Sequence, residues 1–363
     1  MDKIFITFFL TSFSIINIFA QDRTEDFIIS LPEQKVQGSL YKTISFIDSR
    51  YDTSSMGIVQ LGAFNRKAKV VPKIHLSAQL ISVLNSLTDS SAQNGELLFQ
   101  LRQFNFAEIT GAFSEKGYCY MRAALYSKAG SYFKKVNYID TVIIIKAMDV
   151  TRALFRNGSK VITNFISSSL QNNADSMVLY SYADLINIDS IEKRKIPAYN
   201  TTAFTDGLYI SFQSFMNQTP DKKAFAEMKK EKLIGVKATD TTGELIKVKS
   251  KDIYAIVYQG KPFIATDYGY YPLNKINDEF NFTGKAKITA NSMDVAAASF
   301  FFGIIGGLIA SNVNATFEMK IDHINGGFIR LREINDTIPE PQNNIPQYPR
   351  PDQSTPGPNP FNH

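Results

Sequence analysis

Three runs decide the fold: Leu98–Ile109 (LFQLRQFNFAEI), Gly117–Tyr126 (GYCYMRAALY) and Tyr132–Ile145 (YFKKVNYIDTVIII). Each is rich in aromatic and β-branched residues, and the separators between them are short, so they read as three consecutive strands. The middle run alternates at Tyr118-Cys119-Tyr120-Met121-Arg122-Ala123, which places Cys119 as a small buried filler. Working outward, Leu76, Leu80, Val83, Leu84 and Leu87 recur at helical spacing before the strands, with Pro72 placed to begin that helix. After the strands, Asp149 can cap a second helix with Val150, Leu154, Val161, Phe165 and Ser169 on its inner face, and Gly158 is placed to interrupt it. A strand at Ser39–Asp48 precedes all of this, and Gln21–Gln37 reads as a loose lead-in. The expectation for 36–172 is a β-α-β-β-β-α layered unit with helices on one face of a mainly antiparallel sheet, and the fold class of the whole chain is α+β.

The first strand ends in FIDSR, and Ser49–Gly57 is a loop of residues that bond their own backbone. Asp48, Arg50, Asp52 and Gly57 form a candidate loop site there. The alternative reading of Asp48, Arg50 and Asp52 is a local ion-pair and turn network. This order of elements, with those four residues, resembles the small periplasmic auxiliary lipoproteins of ABC-type transport. The resemblance covers about a third of the chain and implies a non-catalytic role in assembly or transport. The chain departs from that group in lacking a lipid-anchor cysteine after its N-terminal apolar run and in carrying a second unit.

That second unit spans 173–336. Ile191–Lys195 reads as a solvated charged patch and Pro197-Ala198-Tyr199 as extended chain. Phe204–Phe215 contains DGLYISF, an Asp-Gly turn leading into an aromatic strand. The motif resembles one found in secreted bacterial proteins of unknown function, which implies a phenylalanine packed beneath the strand. Tyr209, Phe212 and Phe215 are expected to make core. Lys222–Lys232 reads as a short exposed helix or loop. Beyond it, short alternating strands marked by Leu245, Val248, Ile253, Ala255, Val257, Phe263 and Ile264 run on through Tyr268–Phe282. Lys285–Ala290, Ala315–Asp322 and Phe328–Leu331 continue the pattern, with a tight hairpin turn at Asn325-Gly326-Gly327. The result is a mainly antiparallel β unit interrupted by one apolar segment.

That segment is Ser292–Ser311, SMDVAAASFFFGIIGGLIAS, the most apolar part of the chain after its N-terminus. Ser299, Gly303, Gly307 and Ser311 make a narrow stripe of small residues on a helix, joined by Gly306, while Phe300, Phe301 and Phe302 cover another side. This is a glycine zipper, suited to close approach of a second backbone. As a helix it is about 28 Å long, near the apolar thickness of a bilayer. Two readings stay open: packing against protein, its own or a partner's, or contact with lipid.

Lys3, the apolar run Ile4–Phe19 and Ala20 read as a signal peptide over 1–20, so export to the periplasm or cell envelope of a bacterium is expected. With Cys119 as the sole cysteine, neither an internal disulfide nor a thiolate zinc site can be built. Residues 337–363 hold eight of the chain's 14 prolines and are expected to be a disordered tail. A net charge of +5 without a basic block excludes a nucleic-acid footprint. Among three histidines, His75 is expected on a helix and His323 on a strand, and neither carries a triad, metal or phosphate-loop signature. No catalytic residue, cofactor or metal is expected. The chain reads as a non-enzymatic envelope protein that binds or assembles, by self-association or a protein partner through the zipper. The alternatives are a membrane-associated accessory component of a transport system and, third, a hydrolase with scattered carboxylates.

Overall fold

The computed structural model describes residues 23–62, 66–110, 115–147, 150–174, 177–286 and 315–334. The signal segment 1–20, Asp149, the zipper 292–311 and the tail 337–363 lie outside the described residues, as does most of the expected strand at 285–290.

The first elements are β1 (Thr24–Phe27), β2 (Tyr41–Asp48), β3 (Gly57–Leu61), β4 (Arg66–Pro72), α1 (Leu76–Leu87), β5 (Gly95–Thr110), β6 (Glu115–Ala129), β7 (Tyr132–Ala147) and α2 (Val150–Ser167). They are followed by β8 (Leu179–Tyr180), α3 (Tyr182–Ile186), α4 (Ile188–Lys193) and α5 (Pro197–Asn200). The chain is α+β, as its pattern implies, and β5, β6 and β7 are antiparallel neighbours along nearly their whole length. Three strands go beyond the expected order. β1 lies inside the supposed lead-in, where fully buried Phe27 anchors it parallel to β4. β3 and β4 form a hairpin, and Pro72 closes β4 instead of opening a helix; His75 takes the N-cap position of α1. The eight strands make one sheet.

Helices α1 and α2 cover one face of it. Phe27, Phe104, Phe106 and Phe155 meet there, with ring centroids 5.0–5.6 Å apart in the Phe27 and Phe106 pairs. Each such aromatic pair is worth about 0.5–1.5 kcal/mol beyond its buried area. Gly158 does not interrupt α2. It faces the sheet, and a Cβ on it would lie 2.9 Å from Phe106 Cε1 and 3.2 Å from Cys119 Sγ. The missing side chain is what lets the helix approach. Cys119 is fully buried on this face, and burial pushes its thiol pKa up, so it is an inert filler.

On β6 the odd positions Cys119, Met121, Ala123 and Leu125 point to the helices, while Tyr118, Tyr120, Arg122, Ala124 and Tyr126 point to the other face; all are buried. β5 follows Leu97, Phe99 and Leu101 with Phe104 and Phe106 on the helical side, a change of parity made by a bulge at Arg102, where Leu101 pairs with Ala123 and Gln103 with Arg122. The second face is covered by α3, α4 and the strands that follow.

Those strands are β9 (Gly207–Tyr209), then, after α6 (Phe212–Met216), β10 (Ala224–Lys229), β11 (Lys232–Thr239), β12 (Leu245–Val248), β13 (Ala255–Tyr258), β14 (Lys261–Thr266), β15 (Gly269–Pro272), β16 (Asn274–Ile276), β17 (Glu279–Gly284), β18 (Thr316–Ile321) and β19 (Phe328–Ile334). All their pairings are antiparallel, in sheets β10-β11-β12, β15-β14-β13-β9 and β16-β17-β18-β19. Several local expectations change here. Lys222–Lys232 contains strand β10, not a helix or loop. Pro197–Asn200 is a helical turn with proline at its start, where a missing N–H costs nothing. DGLYISF holds only a three-residue strand before Ser211 caps α6. Phe215 does pack under it, 5.4 Å from the Tyr209 ring.

Candidate functional site

β5 is longer than either strand on its far edge. β2 pairs with it as far as Leu101, β3 rejoins it at Phe106, and the chain between leaves the sheet. Ser49 N–H donates to the Leu101 carbonyl (2.8 Å) before the loop, and Phe106 N–H donates to the Met56 carbonyl (2.8 Å) after it. The loop therefore stands beside the Arg102 bulge. Opposite it stand β18 and the turn to β19. Between them lies a cavity of about 140 Å³, lined by Arg50, Arg102, Arg122, Lys320, Asp322 and His323 among others.

Its floor is a buried ion-pair network. Arg122 on β6 donates from Nη1 and Nη2 to both oxygens of Asp322 (3.2 and 2.9 Å), and from Nη2 to Asp140 on β7 (3.0 Å). Arg102 grips Glu192 of α4 in the same two-pronged way (3.0 and 2.7 Å) and reaches Asp189 at 2.5 Å. Such paired bonds hold both partners in one plane. His323, 9 % exposed, sets Nε2 3.1 Å from Glu192 Oε2. The network thus ties α4 and the β18–β19 turn to the second face of the large sheet. Burial opposes charge on Glu192, but hydrogen bonds from His323 and Arg102 prevail and draw its pKa down to about 2. Asp322 follows the same balance: burial works against its charge, Arg122 outweighs it, and the carboxyl sits below its usual range.

Asp189, Glu192 and His323 place one ligand atom each within 4.8 Å of one another, the geometry of a three-ligand metal site. The Arg102 guanidinium already bonds both carboxylates. Both carboxylates are thus engaged by a fixed cation of the protein, and His323 Nε2 by Glu192.

The candidate loop residues are all placed. Arg50 donates from Nε and Nη2 to Asp48 (2.9 and 2.7 Å) and from Nη1 to the Ser55 carbonyl (2.9 Å). Asp52 accepts from Ser54 N–H and Oγ–H (2.8 and 2.6 Å), a side-chain turn. Gly57 has φ +94°, and a Cβ there would lie 2.0 Å from the Phe106 carbonyl oxygen, so only glycine lets β3 rejoin β5. Arg50, Asp52 and Gly57 line one wall of the cavity. These bonds are the local ion-pair and turn network. Ser299, Phe300, Phe301, Phe302, Gly303, Gly306, Gly307 and Ser311 lie outside the described residues.

The sequence reading missed Arg102, Arg122, Glu192, Asp322 and His323. Ile191–Lys195 is not a solvated face: besides Glu192, Lys193 is buried and pairs with Glu279 at 2.7 Å. His323 sits in the turn after β18 instead of on a strand. The available signal was Arg122 itself, a charge in the middle of a strand whose neighbours on both faces are aromatic or apolar.

No protein-family model matches the chain, and no curated protein sequence matches it. Among solved structures, it is similar to a crystal structure of a Xanthomonas campestris protein assigned to the family model DUF330, with 11 % identity and a TM-score of 0.29 over 40 % of this chain and 95 % of that one. At that level the likeness carries no argument about function, and it does not support the expected resemblance to auxiliary lipoproteins of transport.

Proposed function

We propose that the chain is a non-enzymatic cell-envelope protein acting in binding or assembly, with 292–311 as its contact to protein or lipid. The observation that carries this is the state of the cleft. Arg102, Arg122, Glu192 and Asp322 bond one another and so act as a clasp between elements. Glu192 stays ionised down to about pH 2, the reverse of the raised pKa that a glycoside-cleaving general acid needs. The N-terminal apolar run supplies the address.

The test is fractionation of cells making the full chain, with high-pH extraction of membranes and mass measurement of the N-terminus. The expected result is a mature protein starting at Gln21 in the envelope fraction. Cytoplasmic protein with an intact Met1–Ala20 segment would overturn the address. Retention in membranes at high pH that is lost when Ser292–Ser311 is replaced by a polar linker would establish the accessory, membrane-associated form instead. Turnover of a glycoside or ester that disappears in Glu192→Gln would overturn the non-enzymatic reading.

A further inference from the structure

Strand β7 runs for 16 residues with β6 on one side throughout, but on its other side β8 pairs only with Phe133 and Lys134. From Val136 to Ala147 that outer edge has no strand partner among the described residues. The segment contains Ile139, Thr141, Val142, Ile143, Ile144 and Ile145, with neither proline nor glycine, and these side chains are half-buried. A long β-branched edge of this kind is a template for another strand.

We propose that this edge pairs antiparallel with the same edge of a second copy, about a two-fold axis at Ile143, continuing the large sheet across two chains. The register follows from charge. A two-fold axis perpendicular to the sheet keeps each face continuous, so residues of the same parity must oppose one another. Centring on Ile143 places Asp140 opposite Lys146 of the second copy, twice by symmetry, with Thr141 opposite Ile145 and Val142 opposite Ile144. Centring on Asp140 would instead oppose Lys134 and Lys146. Centring on Asn137 would need the edge at Phe133 and Lys134 that β8 already holds. Asp140 supplies the negative charge near this edge: its Oδ2 accepts from Arg122, and its side chain keeps 14 % of its surface exposed. Lys146 is exposed and brings the matching charge. This inference is independent of the envelope reading and of residues 292–311.

The experiment is sedimentation and light scattering of the full chain over a wide concentration range, with Lys146→Glu as the probe. A dimer is expected, and Lys146→Glu, which sets two like-charge pairs across the axis, raises its dissociation constant about tenfold or more. Register is read separately by oxidative crosslinking: Ile143→Cys faces itself and crosslinks, while Ile139→Cys, opposite Ala147, does not. A monomer at all concentrations, including one whose β7 amides resist hydrogen exchange because its own chain covers the edge, would overturn the proposal. So would a dimer indifferent to Lys146→Glu and not crosslinked by Ile143→Cys.

Discussion

The two faces of the large sheet are both buried, and by opposite chemistry. The helical face is closed by phenylalanines, leucines and a glycine that lets α2 come close. The other face carries arginines and tyrosines and is closed by carboxylates brought from α4 and the β18–β19 turn. An apolar face is indifferent to which hydrophobic group covers it, within the limits of shape. A face bearing Arg102 and Arg122 accepts only partners that return charge at the right place, because an uncompensated buried ion costs several kcal/mol. The charged face therefore specifies how the later strands dock, while the apolar face supplies bulk stability.

The comparison can be broken most directly at Arg122. Arg122→Ala strands the buried Asp322 and the half-buried Asp140 and is expected to lower unfolding free energy by about 3–5 kcal/mol, read as a shift in urea midpoint. A loss below about 1 kcal/mol would mean that the network adds little. Its counterpart on the helical face is Leu154→Ala, fully buried against the sheet, expected to cost roughly 3 kcal/mol from lost burial and cavity. The two variants part in acid, since only the first removes a titrating network.

A smaller effect is expected of Gly158→Ala. Helix propensity favours alanine by about 1 kcal/mol, and overpacking against Phe106 opposes it by about 1–3 kcal/mol. A net loss near 1 kcal/mol is expected, and a gain would show that α2 can shift.

The pH dependence sharpens the contrast. The folded pKa of Glu192 is depressed to about 2, below an unfolded value of about 4.3. Its stabilisation is therefore complete above that unfolded value and is lost as pH falls toward 2. The urea midpoint of the wild type should fall over that window, and Glu192→Gln should flatten the fall. An equal slope in both proteins would remove Glu192 from the account. The least effect is expected at Asp52→Ala, whose bonds close only an exposed turn: about 0.5 kcal/mol by the same urea assay.

Several features were legible in residues close together in the chain. Strands β5 to β7 follow from dense aromatic and β-branched composition, α1 and α2 from leucine-like spacing, and the Arg50 and Asp52 turns from residues two positions apart. In each case the interacting groups are near neighbours, so pattern suffices. The bulge at Arg102 was not legible, because one extra residue reverses which side chains face the helices without changing composition. Nor was the clasp: Arg122 and Asp322 are 200 residues apart, and Arg102 and Glu192 are 90. By itself the sequence determined the elements and the apolar face, through local periodicity. Only the tertiary structure decided which carboxylate answers which arginine, because a buried charge selects its partner by position in space and leaves no periodic trace along the chain.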